Sequence, residues 1–368
     1  MHQRQTTLGA QALAHLRTPV QARVLAGLAA ALLALSACGP GTGSPAAPTS
    51  GGPAATSGPA ATGTTWKPTG PITIVVPFAA GGPTDTVTRQ IAGPMRAALG
   101  QDVIVSNVAG AGGTLAAGQV AAAAADGYTV LMHHIGMSTA PTLYPDLEYD
   151  PLTSFKTIGL VTEVPMTIIG AAQFAPNTLQ ELITYTKANG LAVNYANAGV
   201  GAASHLCGVM LEDAIGTDWT EASFDGTGPA MTDLLGSQAG PDDVHFMCDQ
   251  TTNTTTQIKA GTVKAYAITS PGRNEALPDV PTTAEAGLPD VEIQVWHGLY
   301  VPAGTPDNVV QALTAALQQA LADETVIAEF AKLGTTPVTA EQATPAAHTT
   351  KLTEQIELWR PLLEGAGG

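Results

Sequence analysis

The chain has 368 residues, of which 45% are apolar and 12% charged, and its formal net charge is −16. That length allows one large domain or two lobes with cores of their own, and the apolar content excludes general disorder. The negative excess argues against nucleic acid or an anionic membrane surface as a partner, and it obliges any anion site to rely on local donors.

The first segment reads as a leader. Arg4, Arg17 and Arg23 make a basic start, and VLAGLAAALLALSAC (24–38) is an apolar run ending in small residues. It is too short for a spanning helix, and no later run reaches the roughly 18 apolar residues that a span needs. The ending Leu35-Ser36-Ala37-Cys38 resembles the lipobox of bacterial lipoproteins. The resemblance implies cleavage before Cys38 and a lipid on its sulfur; the alternative is an ordinary signal peptide with Cys38 incidental. Residues 39–65 carry no charge and are almost wholly Gly, Pro, Ala, Ser and Thr, a flexible tether that as a coil reaches roughly 30 Å. A fold that starts near Trp66 and works outside the cytoplasm, held to the membrane by its lipid alone, is the expectation. Cys207 and Cys248 are then the only other cysteines. Two thiols in an oxidising compartment point to one disulfide, against the alternative of two buried free cysteines.

From Trp66 onward strand and helix signals alternate. ITIVVPF (72–78) is a continuous apolar strand, and TDTVTRQIAGPMRAALG (84–100) has the three- and four-residue apolar spacing of a helix. DVIVSN, TLAAGQVAAAAA and YTVLMHH continue as strand, helix, strand. A second alternation starts near Phe174: LQELITYTKANG, LAVNYAN, GAASHLCGVMLEDAIG, DWTEASF, PAMTDLLGSQ, DVHFMCD, TTTQIKAG and VKAYAITS. VEIQVWHGLYVP (291–302) is expected to cross back to the first lobe, whose outer face the helical C-terminal segments then cover. This predicts an α/β protein of two doubly wound lobes joined by crossing strands, with a cleft between them. The expected division is 1–38 leader, 39–65 tether, 66–170 first part of lobe 1, 171–292 lobe 2, and 293–368 the return.

Several glycine-rich loops follow strands and open helices. In PFAAGGPTD (77–85), Gly81 and Gly82 permit close approach, and Thr84 or Asp85 falls at a helix N-terminus, where free N–H groups and the dipole favour an anion. The loop lacks the Lys-Ser/Thr ending of a phosphate loop. Asp85, as a cap, would compete with an anion unless it points away; the plainer reading is a tight turn capped by Asp85. NVAGAGGTLAAG (107–118) has Leu115 where a dinucleotide fingerprint needs its third glycine. YANAGVGAASHLCG (195–208) brings Asn197, Ser204 and His205 to a helix start. Ser204 beside His205 invites a hydrolase reading, but adjacent residues seldom place hydroxyl and imidazole in reach and no G-x-S-x-G elbow is present. His205 with Cys207, or His133-His134, matches no structural zinc spacing. FDGTGPAMTDLL and MCDQTTNTTT repeat the theme with Thr227 and Asp249. Converging loops of this kind would hold an anion by N–H and O–H donors rather than by Arg or Lys.

PITIVVPFAAGGPTD, NVAGAGG, DGYTVLM, YPDLEYDP, LAVNYANAGVGAASHL, GTGPAMTDLLGSQ, QIKAGTVKAYAITS, ALPDVPTTAEAGLPDVE and WHGLYVPAGTP occur in this order. From about Pro71 to the C-terminus the chain thereby resembles the Bug/TctC family, the extracytoplasmic solute-binding proteins of tripartite tricarboxylate transporters. SHLCG with MCDQTTNT resembles a subgroup that carries both cysteines. The resemblance implies a two-lobed Venus-flytrap fold, no enzyme activity, no cofactor and no metal. It also implies a small carboxylate as ligand, transporter membrane subunits as partners, and a monomer. It carries ligand binding to Phe78, Ala80, Gly81, Gly82, Thr84 and Asp85 in the first loop, and to Ser138 and Thr139 in the loop after the third strand. In the other lobe it falls on Asn197, Gly201, Ala202, Ser204, His205, Thr227 and Asp249. One departure is Asp225, where the family often has Lys or Arg; facing the cleft it would disfavour a dianion, and facing solvent it would have no such effect. The rival readings are a receptor for a signalling system and an extracytoplasmic hydrolase.

Overall fold

The structure, a computed structural model, describes residues 66–364. The leader, the lipidation site at Cys38 and the tether lie outside the described residues. Among these residues no helix is long and apolar enough to cross a membrane.

Lobe 1 opens with β1 (Ile72–Val76), which is flanked by β2 (Val103–Asn107) and β3 (Thr129–His134), all parallel. Ile72, Ile74, Val75 and Val76 are all buried, as a strand covered on both faces requires. Between them α1 (Pro83–Leu99) buries Val87, Ile91 and Met95, one stripe at four-residue spacing. Gly100 ends it in the left-handed conformation, its N–H on the Arg96 carbonyl. The short helices α2 (Thr114–Ala121) and α3 (Gly136–Leu143) follow β2 and β3.

The element absent from the sequence reading is β4 (Phe155–Ala171), a 17-residue strand. Its residues 155–165 pair antiparallel with β9 (Gln294–Pro302), and residues 166–171 pair with β7 (Phe246–Gln250) and β8 (Val263–Ile268). Pro165 stands where the partners change, a position that tolerates a residue without an N–H. Apolar side chains on both faces hide the period-two alternation that marks half-buried strands, so FKTIGLVTEVPMTIIGA gave no clear signal. β9 pairs with β3 as well as β4.

Lobe 2 adds α4 (Leu179–Asn189), β5 (Asn194–Asn197), α5 (Ala203–Ile215), β6 (Thr220–Ser223), α6 (Thr227–Gly236) and α7 (Thr251–Ala260). The strand order is β2-β1-β3-β9-β4-β7-β5-β6, so two parallel α/β halves are joined through the antiparallel pair β4 and β9. The chain ends with α8 (Asp307–Leu321), α9 (Glu324–Lys332), β10 (Thr336–Pro337) on β4, and α10 (Pro345–Glu364). Leu313, Leu317 and Phe330 pack with Ile74 and Val87 in the lobe 1 core. A second core runs from Tyr195, Leu211, Trp219 and Phe246 along β4 to Trp296 and Leu352. Cys207 on α5 and Cys248 on β7 form a disulfide spanning 41 residues.

Candidate functional site

Four helices of the two lobes start at one place. Gly82, Pro83 and Thr84 from the start of α1 face Ala202, Ala203 and Ser204 of α5, Thr227 of α6, and Gln250 ahead of α7. Phe78, His134, Met166, Ala198 and Asp249 complete the lining. None of these helices has a side-chain cap: the N-cap residues are Gly82, Ala202, Gly226 and Gln250. Elsewhere α4 and α9 are capped by Thr178 and Asp323, while α2, α3 and α8 also lack a side-chain cap, so what marks the four is that their starts meet at one place. First-turn N–H groups left uncapped on four helices give a concentrated positive potential without a cation. Among the described residues that line the cleft there is no Lys or Arg. The lobes are shut on each other, with a free volume of about 20 Å³, room for a water or two rather than an organic acid.

The first loop is held from behind. Asp85 is buried, and its carboxylate accepts from Arg89, from Asn107 Nδ2 at 3.0 Å and from the Gly81 N–H at 3.0 Å. Burial alone would raise its pKa, but the hydrogen bonds from Arg89, Gly81 and Asn107 hold it below the ordinary carboxylate range. Asp85 therefore points away from the cleft, and the Gly81 N–H is spent on it. Ala80 is exposed, and neither Ala80, Gly81 nor Asp85 lines the cavity. Asn107, not singled out from the sequence, also donates to the Phe78 carbonyl and so ties β2 to the loop.

On the lobe 2 side, Ser204 Oγ accepts the Ala198 N–H at 2.9 Å, which leaves its own O–H to donate. Asn197 and His205 have structural partners instead. Asn197 Oδ1 accepts from Gly199 N and Ser223 Oγ, while His205 accepts from Gly201 N and lies 3.9 Å from Glu221. Burial lowers the His205 pKa. Ser138 and Thr139 are on α3 and not in a loop, because the helix begins directly after the strand, with Gly136 N–H on His134 Nδ1. Ser138 bonds the Ile135 carbonyl, and Thr139 bonds the Gly201 carbonyl of the other lobe at 3.0 Å. Of the residues expected at the ligand, the structure brings together Phe78, Gly82, Thr84, Ala202, Ser204, Thr227 and Asp249. Asp225 is exposed, and its carbonyl accepts the Ala79 N–H across the seam.

His134, Met166 and Gln250 were missed. His134 stacks on Phe78 with ring centroids 4.7 Å apart. Its Nδ1 accepts from Gly136, so the neutral ring carries its proton on Nε2. Burial first, then His133 and His297, push His134 well below the ordinary histidine range; His297, 3.4 Å from Thr84 Oγ1, is pushed down to about 3. The cluster is thus uncharged at neutral pH. Asp249 is the one acid in the lining, its carboxylate accepting from Gln250 N and from Asn253 Nδ2 at 2.6 Å. Burial lifts it to about 6.

Residues 87–367 match the model of the tripartite tricarboxylate transporter family receptor, TctC. A relative from Agrobacterium vitis, a UPF0065 protein of the TAR-I ttuE-ttuC' intergenic region, is 49% identical over 300 residues, 82% of this chain and 85% of its own length. Among solved structures, the periplasmic binding protein BugD superposes with a TM-score of 0.78 at 49% identity, covering 82% of this chain and 98% of BugD. MatC from Rhodopseudomonas palustris, solved with bound malate, gives 0.77 at 40% identity over 81% of this chain and 100% of its own. The two-lobed α/β fold is accordingly that of periplasmic binding proteins, and the chain belongs to the Bug/TctC family of tripartite tricarboxylate transporter receptors.

Proposed function

We propose that this chain is a solute receptor, without catalytic activity, that closes its two lobes on a small carboxylate and delivers it to the membrane subunits of a tripartite transporter. The observation that carries the reading is the meeting of four uncapped helix N-termini in a lining free of Lys and Arg. Such a site suits an anion small enough to touch several helix ends at once. The malate held by MatC supports the same ligand class. Gly82, Thr84 and Phe78 would take one end of the ligand, with Ser204, Ala202 and Thr227 contributing from the other lobe. His134, through Nε2–H, supplies one further neutral donor. The reading extends to a monomer working outside the cytoplasm, as the periplasmic protein BugD does, and anchored through a lipid on Cys38.

The test is a thermal-shift screen of the full chain against mono-, di- and tricarboxylates, acidic amino acids and aromatic acids. A ligand at 100 times its Kd adds about 2.7 kcal/mol of stability, so a true ligand is visible. Ser204→Ala should then weaken the hit by about 1–3 kcal/mol, the scale of a donor lost to a charged group. No shift with any acid sinks the carboxylate reading, and an unchanged affinity in Ser204→Ala removes Ser204 from the site.

A further inference from the structure

A cleft built to hold anions nevertheless carries a carboxylate in its wall. Asp249 is 1% exposed and stands at the C-terminal end of β7, on the lobe 2 side of the cavity. Next to it Gln250 is 3% exposed, lines the same cavity, and its Oε1 has no hydrogen-bond partner. The neighbours from every packed element leave Asp249 without a cation. β4 presents Thr167, whose hydroxyl donates to the Asp249 carbonyl, and Met166. β5 presents Tyr195, kept neutral by burial, while α5 presents Ser204, α6 Thr227 and α7 Asn253. Across the cleft β3 presents His134 and β9 presents His297, both neutral, and on α1 Arg89 is already engaged by Asp85.

Closure would press a dianion against this wall, and two carboxylates sharing one dry site do not both stay ionised. A hydroxyl or ammonium at that end of the ligand meets the opposite situation, since Gln250 Oε1 has no donor and the Asp249 carboxylate, though bonded by Gln250 N, Asn253 and Thr227, still has lone-pair capacity for one more. Resting on the carboxylate-receptor reading above, we propose that Asp249 and Gln250 form an acceptor subsite that selects carboxylic acids bearing a hydroxyl or ammonium group, and that a plain second carboxylate enters only when Asp249 takes a proton from solvent. The raised pKa of Asp249 agrees with this, because a proton is available to it near neutral pH.

The experiment is calorimetric titration of the full chain with two matched series: succinate, malate and aspartate, then glutarate, 2-hydroxyglutarate and glutamate. In at least one series the hydroxy or amino acid should bind at least tenfold more tightly than the plain diacid at pH 7.5. The plain diacid should weaken about tenfold from pH 7 to pH 8, where the ligand is fully ionised and protonated Asp249 becomes tenfold rarer. Asp249→Asn removes the negative charge and keeps one oxygen, for Asn253 or for Gln250 N. It should abolish that pH dependence, improve the plain diacid and weaken the amino acid at least tenfold. Gln250→Leu, which leaves Asp249 in place, should narrow the donor preference and carries the test if Asp249→Asn does not fold. Equal binding within both series, or an order of preference unchanged in a folded variant, overturns the subsite alone. Binding of no acid from either series counts against the carboxylate reading and takes the subsite with it.

Discussion

Asp85 shows how an acid can stand at an anion site without spoiling it. Its two oxygens are filled by Arg89, Asn107 and the Gly81 N–H, so its charge is neutralised from behind and spent on shaping the loop. Because its pKa is lowered in the folded state, its contribution to stability is complete above the ordinary value and lost as pH falls through the folded one. Asp85→Asn should therefore melt below the parent at neutral pH, with the two melting temperatures converging as pH falls below the ordinary carboxylate range. Parallel curves across the whole pH range would show that the carboxylate does not hold the loop. The loop residues were legible in the sequence because Gly, Pro, Thr and Asp in that order announce a strand-to-helix turn. Which way Asp85 points was not, since that depends on Asn107 arriving from the neighbouring strand.

At the scale of elements, the site is an arrangement of helix starts rather than of side chains. A capping carboxylate there would fill the N–H groups that a ligand needs. Ala202→Asp puts one at the N-cap of α5, where the backbone is already extended (φ −68°, ψ 156°). The expected result is at least a tenfold loss of carboxylate affinity by calorimetry, with helix content unchanged by circular dichroism, since a cap by itself adds about 1 kcal/mol. Undiminished affinity would detach the α5 terminus from the ligand. Most of these helices were visible from periodicity, and their glycine-rich approaches marked their starts. Ser138 and Thr139 were assigned to a loop by the family resemblance, although GMSTAP forms the start of α3. The strand β4 was hidden because it is apolar on both faces.

At the scale of the whole molecule, binding is closure, and closure depends on the seam. Gly112 has φ 61°, and a Cβ on it would lie 2.0 Å from the Val200 carbonyl oxygen and 2.6 Å from Tyr144 Oη, which itself bonds Val200 across the seam. Gly112→Ala should leave each lobe folded but hold them apart, weakening the ligand by about 1–3 kcal/mol, the scale of an overpacked contact. X-ray scattering should then show a ligand-bound form more open than the parent; an equally compact complex of equal affinity would mean the seam yields freely. In the NVAGAGG loop, Gly112 thus makes room for the opposite lobe. The sequence by itself determined the α/β alternation, the family, and the absence of cations from the glycine-rich loops, because these follow from local spacing and residue type. Only the tertiary structure decided which loop residues reach the cavity, that His134 and Gln250 join them, and that Asp85 turns away while Asp249 stays in the wall. Those outcomes are set by contacts between segments far apart in the chain, and no local pattern encodes them.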